Sequence, residues 1–179
     1  SGYYTTREPF GAAGDFTTAP EISQMFGEII AAWWLAARTA LNLPGMRLAE
    51  IGPGRGTLMN DMLRTIGKVA GALPPVHMIE ASPRLIDIQR NALAKHKADI
   101  VWQDGLSALP PAPIGIVANE LFDALPIRQF QKTDLGWLER TVQIGGDDEL
   151  VFALTPNQLN PGLLPAAHQH LVEGAVIEY

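Results

Sequence analysis

Apolar residues recur along the chain with two kinds of spacing, and each kind predicts its own element. From Ile22 to Ala37 they recur at every third or fourth position, which predicts a helix with one apolar face. Short apolar runs bounded by glycine or proline predict buried strands instead. The helices expected on this basis cover 19–41, 57–68 and a segment that begins at Pro83. The strands expected on this basis cover 46–51, 76–80, 99–103 and 114–118.

The predicted start of the first helix carries a specific signal. Thr18 and Glu21 have the T-x-x-E spacing of a capping box, and Pro20 falls in the first turn. We therefore expect the Thr18 side chain to accept a hydrogen bond from a backbone N–H of that turn. Ser82, which directly precedes Pro83, is expected to cap the third helix in the same way.

The order of the predicted elements indicates the fold class. Strands that alternate with helices predict a parallel sheet with right-handed crossovers. After residue 126, single apolar and polar residues alternate, which predicts an antiparallel meander. The fold class is therefore α/β: a Rossmann-like, doubly wound, mostly parallel sheet with an antiparallel meander after the fourth strand. The meander strands are expected over 127–132, 137–144 and 149–154, followed by a loop over 156–165, a short helix over 166–173 and the start of a further segment at 176–179.

Composition and charge narrow the classes of partner. Charged residues make up 18% of the chain, below the ~25% of ordinary soluble domains, and the net charge is −6. The sequence contains no cluster of lysine and arginine, which argues against nucleic acid as the main partner. The most apolar run, 29–37, is shorter than the ~20 residues that span a bilayer, so no membrane span is expected. The chain lacks cysteine, and His168 and His170 would point apart on a helix, so no metal site is expected.

The segment EIGPGRGT, from Glu50 to Thr57, lies between the first predicted strand and the second predicted helix. Glycines in this position let the backbone turn tightly and let a ligand approach it closely, and the helix start adds oriented N–H groups. The G-x-G-x-G spacing is one residue shorter than the dinucleotide fingerprint, which favours a ligand without a pyrophosphate. The alternative is a tight strand-to-helix turn that binds nothing.

Acidic residues follow the next two predicted strands. Glu80 ends the second strand, where a carboxylate can accept both hydroxyls of a ribose. Asp104 follows the third strand beside Gln103 and is placed to meet an adenine amino group. Together with the glycine loop, these residues predict a nucleoside pocket in which Glu50 serves the charged amino-acid end of the ligand. For Glu80 alone, a solvated acid at the strand end is the alternative.

Three segments of the chain are distinctive when taken together: GDFTTAPEIS at 14–23, EIGPGRG at 50–56 and NELFDALP at 119–126. In this order they resemble the MidA family of class I S-adenosylmethionine-dependent methyltransferases. The mitochondrial members of that family are arginine methyltransferases that assist assembly of respiratory complex I. The family's domain is considerably longer than this chain, which matches its N-terminal half, so the fold is expected to be incomplete at the C-terminus.

The resemblance implies S-adenosyl-L-methionine as the cofactor and an arginine side chain of a protein, such as a respiratory complex subunit, as the methyl acceptor. The cofactor-binding residues expected on this basis are Glu50, Gly52, Pro53, Gly54, Gly56, Glu80, Ala81, Asp104 and Thr18. The catalytic residues expected are Asn119, Glu120, Asp123 and Asp15.

The expected catalytic residues have separate roles. Glu120 and Asp123 would clamp the planar guanidinium, and one of them would take the released proton. The Asn119 amide would fix the nucleophile or the amino-acid end of the cofactor. Asp15 and Thr18 would belong to a lid over the cofactor. The alternatives are that Asp123 caps a turn, that Glu120 is a surface acid, and that Asp15 and Thr18 only satisfy backbone N–H groups at the helix start.

One domain in three parts is expected: a lid loop and helix over 1–45, a cofactor-binding Rossmann-like core over 46–126, and the meander with a further segment over 127–179.

A non-catalytic, cofactor-binding assembly module is the alternative function. A nicotinamide-dependent oxidoreductase is a third, which the glycine spacing disfavours. An unpaired sheet edge would favour a homo-oligomer. The chain shows no basic amphipathic leader, so the bacterial cytoplasm is expected, or the mitochondrial matrix if the source is eukaryotic.

Overall fold

The computed structural model describes residues 18–168 and 170–178, which separate into two compact units between Asp123 and Ala124. The helices described in the first unit are α1 (Ala19–Ile22), α2 (Gln24–Ala40), α3 (Thr57–Ala70) and α4 (Pro83–Leu93). Its strands are β1 (Arg47–Ile51), β2 (Val76–Ile79), β3 (Ile100–Gln103) and β4 (Ile114–Val117). Short 3-10 turns cover Leu106–Ala108 and Phe122–Ala124.

The strands of the first unit form one parallel sheet in the order β3-β2-β1-β4. This arrangement confirms the predicted parallel sheet. The chain moves outward from β1 to β3 and then returns to place β4 on the other side of β1. Open α/β sheets bind ligands beyond the carboxyl ends of the strands at such a reversal. Glu50 lies there, because it is paired in register with Met78 on one side and Val117 on the other.

Close contacts at two glycines hold the helices of the first unit against the sheet and each other. A Cβ atom at Gly115 of β4 would lie 2.5 Å from Nε1 of the fully buried Trp34 on α2. A Cβ atom at Gly27 would lie 2.6 Å from the Cβ of Asp61 on α3. Side chains larger than hydrogen would force these elements apart. The packing therefore fixes the position of α3, whose first residue, Thr57, follows the glycine loop.

The predicted capping box at the first helix is wrong. The expected single helix is two helices, because Ser23 adopts an extended conformation (φ −151°, ψ 130°) between α1 and α2. The Ser23 hydroxyl accepts a hydrogen bond from the Met25 N–H at 3.2 Å and so caps α2. Thr18 makes no side-chain cap bond. The Ser82 side chain makes none either, which also contradicts the sequence prediction for α4.

The second unit is the predicted antiparallel meander with one additional strand. Its strands are β5 (Gln129–Thr133), β6 (Gly136–Ile144), β7 (Leu150–Gln158) and β8 (Val176–Glu178). Their order is β7-β6-β5-β8, with every pair antiparallel. Its buried core consists of Phe130, Trp137, Leu159, Leu164 and Ile177.

The end of the second unit differs from the sequence prediction. The loop expected over 156–165 is partly strand, because β7 continues to Gln158, and a 3-10 turn covers Pro161–Leu163. The helix expected over 166–173 is one 3-10 turn, Ala166–His168. So short a segment cannot sustain a helix by propensity alone and needs an apolar face to bury. No helix in the described part of the chain is long and apolar enough to cross a membrane.

Candidate functional site

The glycine loop after β1 adopts a conformation that favours glycine at three positions. Gly52, Gly54 and Gly56 have φ values of 63°, 54° and 81°. Side chains with a Cβ atom rarely adopt this left-handed region. The Gly56 N–H donates to the Pro53 carbonyl at 2.8 Å, which closes the turn. Gly56 is also the N-cap of α3 and has no side chain to bond the first N–H groups of the helix. The Met59 N–H of that turn bonds Glu50, which leaves the N–H groups before it as the donors that could face a ligand.

The loop after β4 lies against the glycine loop. A Cβ atom at Gly52 would stand 2.7 Å from Cδ1 of Leu121. Leu121 lies between Glu120 and Asp123 in the predicted catalytic segment. Glycine therefore suits position 52 for two reasons. Gly52 adopts a left-handed conformation, and it leaves room for the side chain of Leu121. This contact brings the segment 119–123 to the same edge of the sheet as the glycines.

Glu50, two residues before Gly52, is buried and incompletely paired. Its residue exposure is 3%, and its Oε2 atom has no hydrogen-bond partner. Burial raises the pKa of the Glu50 carboxyl to about 8, although a hydrogen bond from the Met59 backbone opposes the shift. Buried carboxyl groups without a full set of donors are uncommon in folded proteins. Glu50 is thus a buried acid that holds a proton at neutral pH and has one buried oxygen atom without a partner.

Glu80 directly follows β2, and both of its carboxylate oxygens are held. Oε1 accepts a hydrogen bond from the Ser82 N–H at 2.8 Å, and Oε2 accepts one from Nε2 of Gln89 at 3.2 Å. Each carboxylate oxygen can accept a second hydrogen bond. The carboxylate is therefore oriented by the protein and still able to accept two ligand hydroxyls. Ala81, the next residue, is exposed.

Sequence reasoning missed Gln89, which connects the predicted parts of the site. Its side chain on α4 is fully buried and donates to the Gly54 carbonyl at 2.8 Å as well as to Glu80. A signal was available, because Gln89 stands four residues from both Leu85 and Leu93, which are buried on the same helix. A polar residue in the apolar stripe of an amphipathic helix needs hydrogen-bond partners in the protein.

The residues after β3 have different environments. Asp104 is exposed. The polar atoms of the Gln103 side chain are paired within the protein. Its Nε2 donates to the Ala108 carbonyl, and its Oε1 lies 3.2 Å from Nδ1 of the buried His77. Of these two residues, Asp104 therefore remains the predicted contact to a ligand.

The segment after β4 holds the other predicted catalytic residues at the edge of the sheet. Asn119 is half-buried, whereas Glu120 and Asp123 are exposed. Glu120 has a φ of 47°, a conformation that costs a residue other than glycine of order 1–3 kcal/mol. Strained backbone of this kind is concentrated at functional sites in proteins, so the conformation of Glu120 is consistent with a role in a site.

The predicted lid is only partly described. Thr18 precedes α1 and is half-buried, while Asp15 lies outside the described residues. Within the same described part, no group of three or more histidine, aspartate or glutamate side chains is arranged to hold a metal ion.

Comparison with known proteins identifies the family. Residues 25–179 match the model of a family described as "Putative S-adenosyl-L-methionine-dependent methyltransferase". The chain belongs to this methyltransferase family. The family expected from the three sequence motifs is thereby confirmed.

Curated relatives of the chain carry a more specific name. It is 36% identical over 183 residues to the human protein named protein arginine methyltransferase NDUFAF7, mitochondrial; the match covers 87% of this chain and 42% of the relative. The match to the Caenorhabditis elegans homologue of that protein is 35% identical over 191 residues, 93% of this chain and 45% of the relative. The chain therefore spans less than half the length of the relatives it matches.

The structure of a similar protein supports the assignment of the fold. The chain is similar to a Burkholderia thailandensis protein crystallised with S-adenosyl-homocysteine, with a TM-score of 0.68 and 31% sequence identity. The match covers 96% of this chain and 46% of that protein. The α/β methyltransferase fold expected from the sequence is thus confirmed.

Proposed function

We propose that this chain binds S-adenosyl-L-methionine at the carboxyl ends of β1 and β2 and forms the cofactor-binding part of a protein arginine methyltransferase. The observation that carries the proposal is the pairing of a left-handed glycine loop with an oriented acid. Gly54 and Glu80 are held together by the one side chain of Gln89. A loop that only joined β1 to α3 would not need a buried side chain to connect it to the acid at the end of β2.

The residues present fit the cofactor. The Glu80 carboxylate can accept the ribose hydroxyls, since each of its oxygens has one further acceptor site. Asp104, which is exposed after β3, would meet the adenine amino group, and the exposed Ala81 would lie beside the sugar. Glu50, with its unpaired oxygen, and the N–H groups at the start of α3 suit an ammonium and a carboxylate. The backbone of the glycine loop, including Pro53, would lie against the ligand.

The chemistry would take place at the segment after β4. When bound, S-adenosyl-L-methionine supplies an electrophilic methyl group on a sulfonium. Glu120 and Asp123 would hold the acceptor guanidinium by paired, charge-assisted hydrogen bonds, and one of them would accept the proton that the nitrogen loses. Asn119 would fix the nucleophile or the amino-acid end of the cofactor, and Asp15 and Thr18 would cover the site. Alignment of the reacting groups lowers such barriers by up to ~7–11 kcal/mol.

The acceptor we propose is an arginine of a protein, such as a subunit of a respiratory complex. The names of the relatives support this acceptor class, because they are called protein arginine methyltransferases. They also support a mitochondrial matrix location if the source is eukaryotic, and the bacterial cytoplasm is proposed otherwise. Nucleic acid is not a proposed partner, since the net charge is −6.

Calorimetric titration of the chain with S-adenosyl-L-methionine and S-adenosyl-homocysteine tests the proposal. We expect one-to-one binding with micromolar affinity, which corresponds to about −8 kcal/mol. Transfer of a labelled methyl group to an arginine peptide would separate an enzyme from a non-catalytic binding module. NADH serves as the control ligand and is expected not to bind. A folded chain that binds neither adenosyl ligand would contradict the proposal.

We also propose that the chain self-associates through the hairpin of β6 and β7. Val142 and Phe152 are cross-strand partners, as are Ile144 and Leu150, and all four side chains are exposed. β7 is the last strand of its sheet within the described residues, so its outer edge has unpaired backbone groups. A second copy of the chain would cover both features.

Light scattering should therefore give the mass of a dimer for the wild type. Ile144→Lys should shift the mass to that of a monomer, because a lysine would place a charge in the apolar contact. Leu135→Lys, at an exposed apolar residue of the β5–β6 turn, is the matched control and should leave the dimer intact. A wild-type monomer at high concentration would refute self-association.

A further inference from the structure

We propose that Gln89 is a positioning residue that orients the Glu80 carboxylate toward a ribose and makes the site selective for ribonucleoside ligands. The inference rests on the proposed function and adds to it a residue on α4 outside the three family-like motifs. Gln89 itself would touch no reacting group. It would act through Glu80 and through the glycine loop, both of which it holds.

The side chain of Gln89 makes three hydrogen bonds. Its Nε2 donates to the Gly54 carbonyl at 2.8 Å and to Oε2 of Glu80 at 3.2 Å. Its Oε1 accepts from the indole Nε1 of Trp102 on β3 at 2.9 Å. An amide group has two N–H donors, so both donors are used. Gln89 thus joins the segments that follow β1 and β2 to the strand β3.

Trp102 determines which way the amide of Gln89 faces. The indole N–H can only donate, so the oxygen atom of the amide must face Trp102. The nitrogen atom then faces Gly54 and Glu80, whose contacting atoms are acceptors. An amide rotated by half a turn would place donor against donor and acceptor against acceptor. The orientation therefore follows from the chemistry of all three partners rather than from one bond.

Gln89 is closely packed where it makes these hydrogen bonds. The residue is fully buried, and a Cβ atom at Gly56 would lie 3.4 Å from its Cγ. When the amide is lost, Glu80 keeps the hydrogen bond from Ser82 but loses the one on its other oxygen. The carboxylate can then rotate about the remaining bond. Binding of the ribose must restore its orientation, which lowers the affinity for the ligand.

Binding of two ligands to two forms of the chain tests this role. The ligands are S-adenosyl-homocysteine and its 2′,3′-dideoxy analogue, which lacks the hydroxyls that Glu80 would accept. Gln89→Met keeps the length and apolar body of the side chain and removes the amide. We expect the variant to bind S-adenosyl-homocysteine at least ~10-fold more weakly, the scale of one charge-assisted hydrogen bond. The dideoxy analogue should lose clearly less, so that the wild-type preference for the ribose falls.

Two further variants keep the test decisive if Gln89→Met folds poorly. Trp102→Phe keeps an aromatic ring on β3 but leaves the buried amide oxygen of Gln89 without a donor, so the amide should be held less firmly against Glu80 and the same preference should fall. Gln89→Glu places an acceptor against Gly54 and Glu80, and it should weaken the binding of S-adenosyl-homocysteine most. Asp87→Asn, at an exposed residue of the same helix, is the control and should change neither affinity. Thermal unfolding of each variant monitors the fold.

The outcomes separate this inference from the proposed function. A larger loss for the ribose ligand than for the dideoxy ligand supports positioning of Glu80 by Gln89. Equal losses for both ligands, or none, in folded variants overturn the inference while the wild type still binds. A wild type that binds neither ligand overturns both the proposed function and this inference.

Discussion

Replacing Glu50 with glutamine should make the folded chain more stable at pH 8 and weaken its affinity for S-adenosyl-L-methionine. Burial raises the pKa of Glu50 to about 8 from an ordinary value of 4.5. Between these two pH values, the folded state holds a proton that the unfolded state has lost. The contribution of Glu50 to stability is therefore complete below pH 4.5 and is lost as the pH rises through about 8.

This loss is large for a single residue. At about 1.4 kcal/mol per pH unit, the unfolding free energy of the wild type should fall by up to ~5 kcal/mol across the window. Glu50→Gln cannot ionise and should not show this fall. Urea unfolding at pH 5 and pH 8.5 measures the difference between the two proteins. Asp87→Asn is the control and should keep the wild-type slope, because Asp87 is an exposed residue on α4.

The same carboxyl links cofactor binding to proton release. A ligand ammonium beside Glu50 favours the ionised carboxylate, so binding at pH 7 should release close to one proton. Titration in buffers with different ionisation enthalpies measures this number. Glu50→Gln should release no proton and bind at least ~10-fold more weakly. Equal proton release by both proteins would show that Glu50 does not face the ligand.

Gly54→Val should reduce the affinity for S-adenosyl-homocysteine by more than ~100-fold, or ~2.8 kcal/mol. Gly54 has a φ of 54°, which a β-branched residue adopts only with strain. The side chain would also fill space that a ligand needs for close approach to the backbone. Relaxation of the loop would in addition move the carbonyl that accepts from Gln89. Isothermal titration of the folded variant gives the affinity.

Gly71→Val separates the effect on the ligand from the effect on the backbone. Gly71 has a φ of 72° at the end of α3, and a Cβ atom there would meet nothing within 4 Å. Both substitutions should cost a comparable free energy of unfolding, on the order of 1–3 kcal/mol. Only Gly54→Val should abolish tight binding. Undiminished affinity in that variant would place the ligand elsewhere in the protein.

Local patterns predicted the elements better than their ends. The apolar repeat that begins at Ile22 correctly indicated a helix, but the chain breaks at Ser23, which caps α2. Thr18 and Ser82 have the right chemistry for caps, but neither side chain forms one. At Thr18 the Glu21 N–H, which the hydroxyl would have to bind, donates instead to the Thr18 backbone carbonyl at 2.9 Å. Cap prediction depends on such local competition, which residue spacing does not describe.

The sequence by itself determined the order of the elements, the glycine loop between β1 and α3, and the acid after β2. These features depend on residue type and on spacing between near neighbours. Only the tertiary structure decided that Gln89 joins Gly54 to Glu80, that Leu121 lies against Gly52, and that Glu50 holds a proton near neutral pH. Each of these depends on burial and on contacts between residues far apart in the chain, which exist only once the sheet and helices have packed.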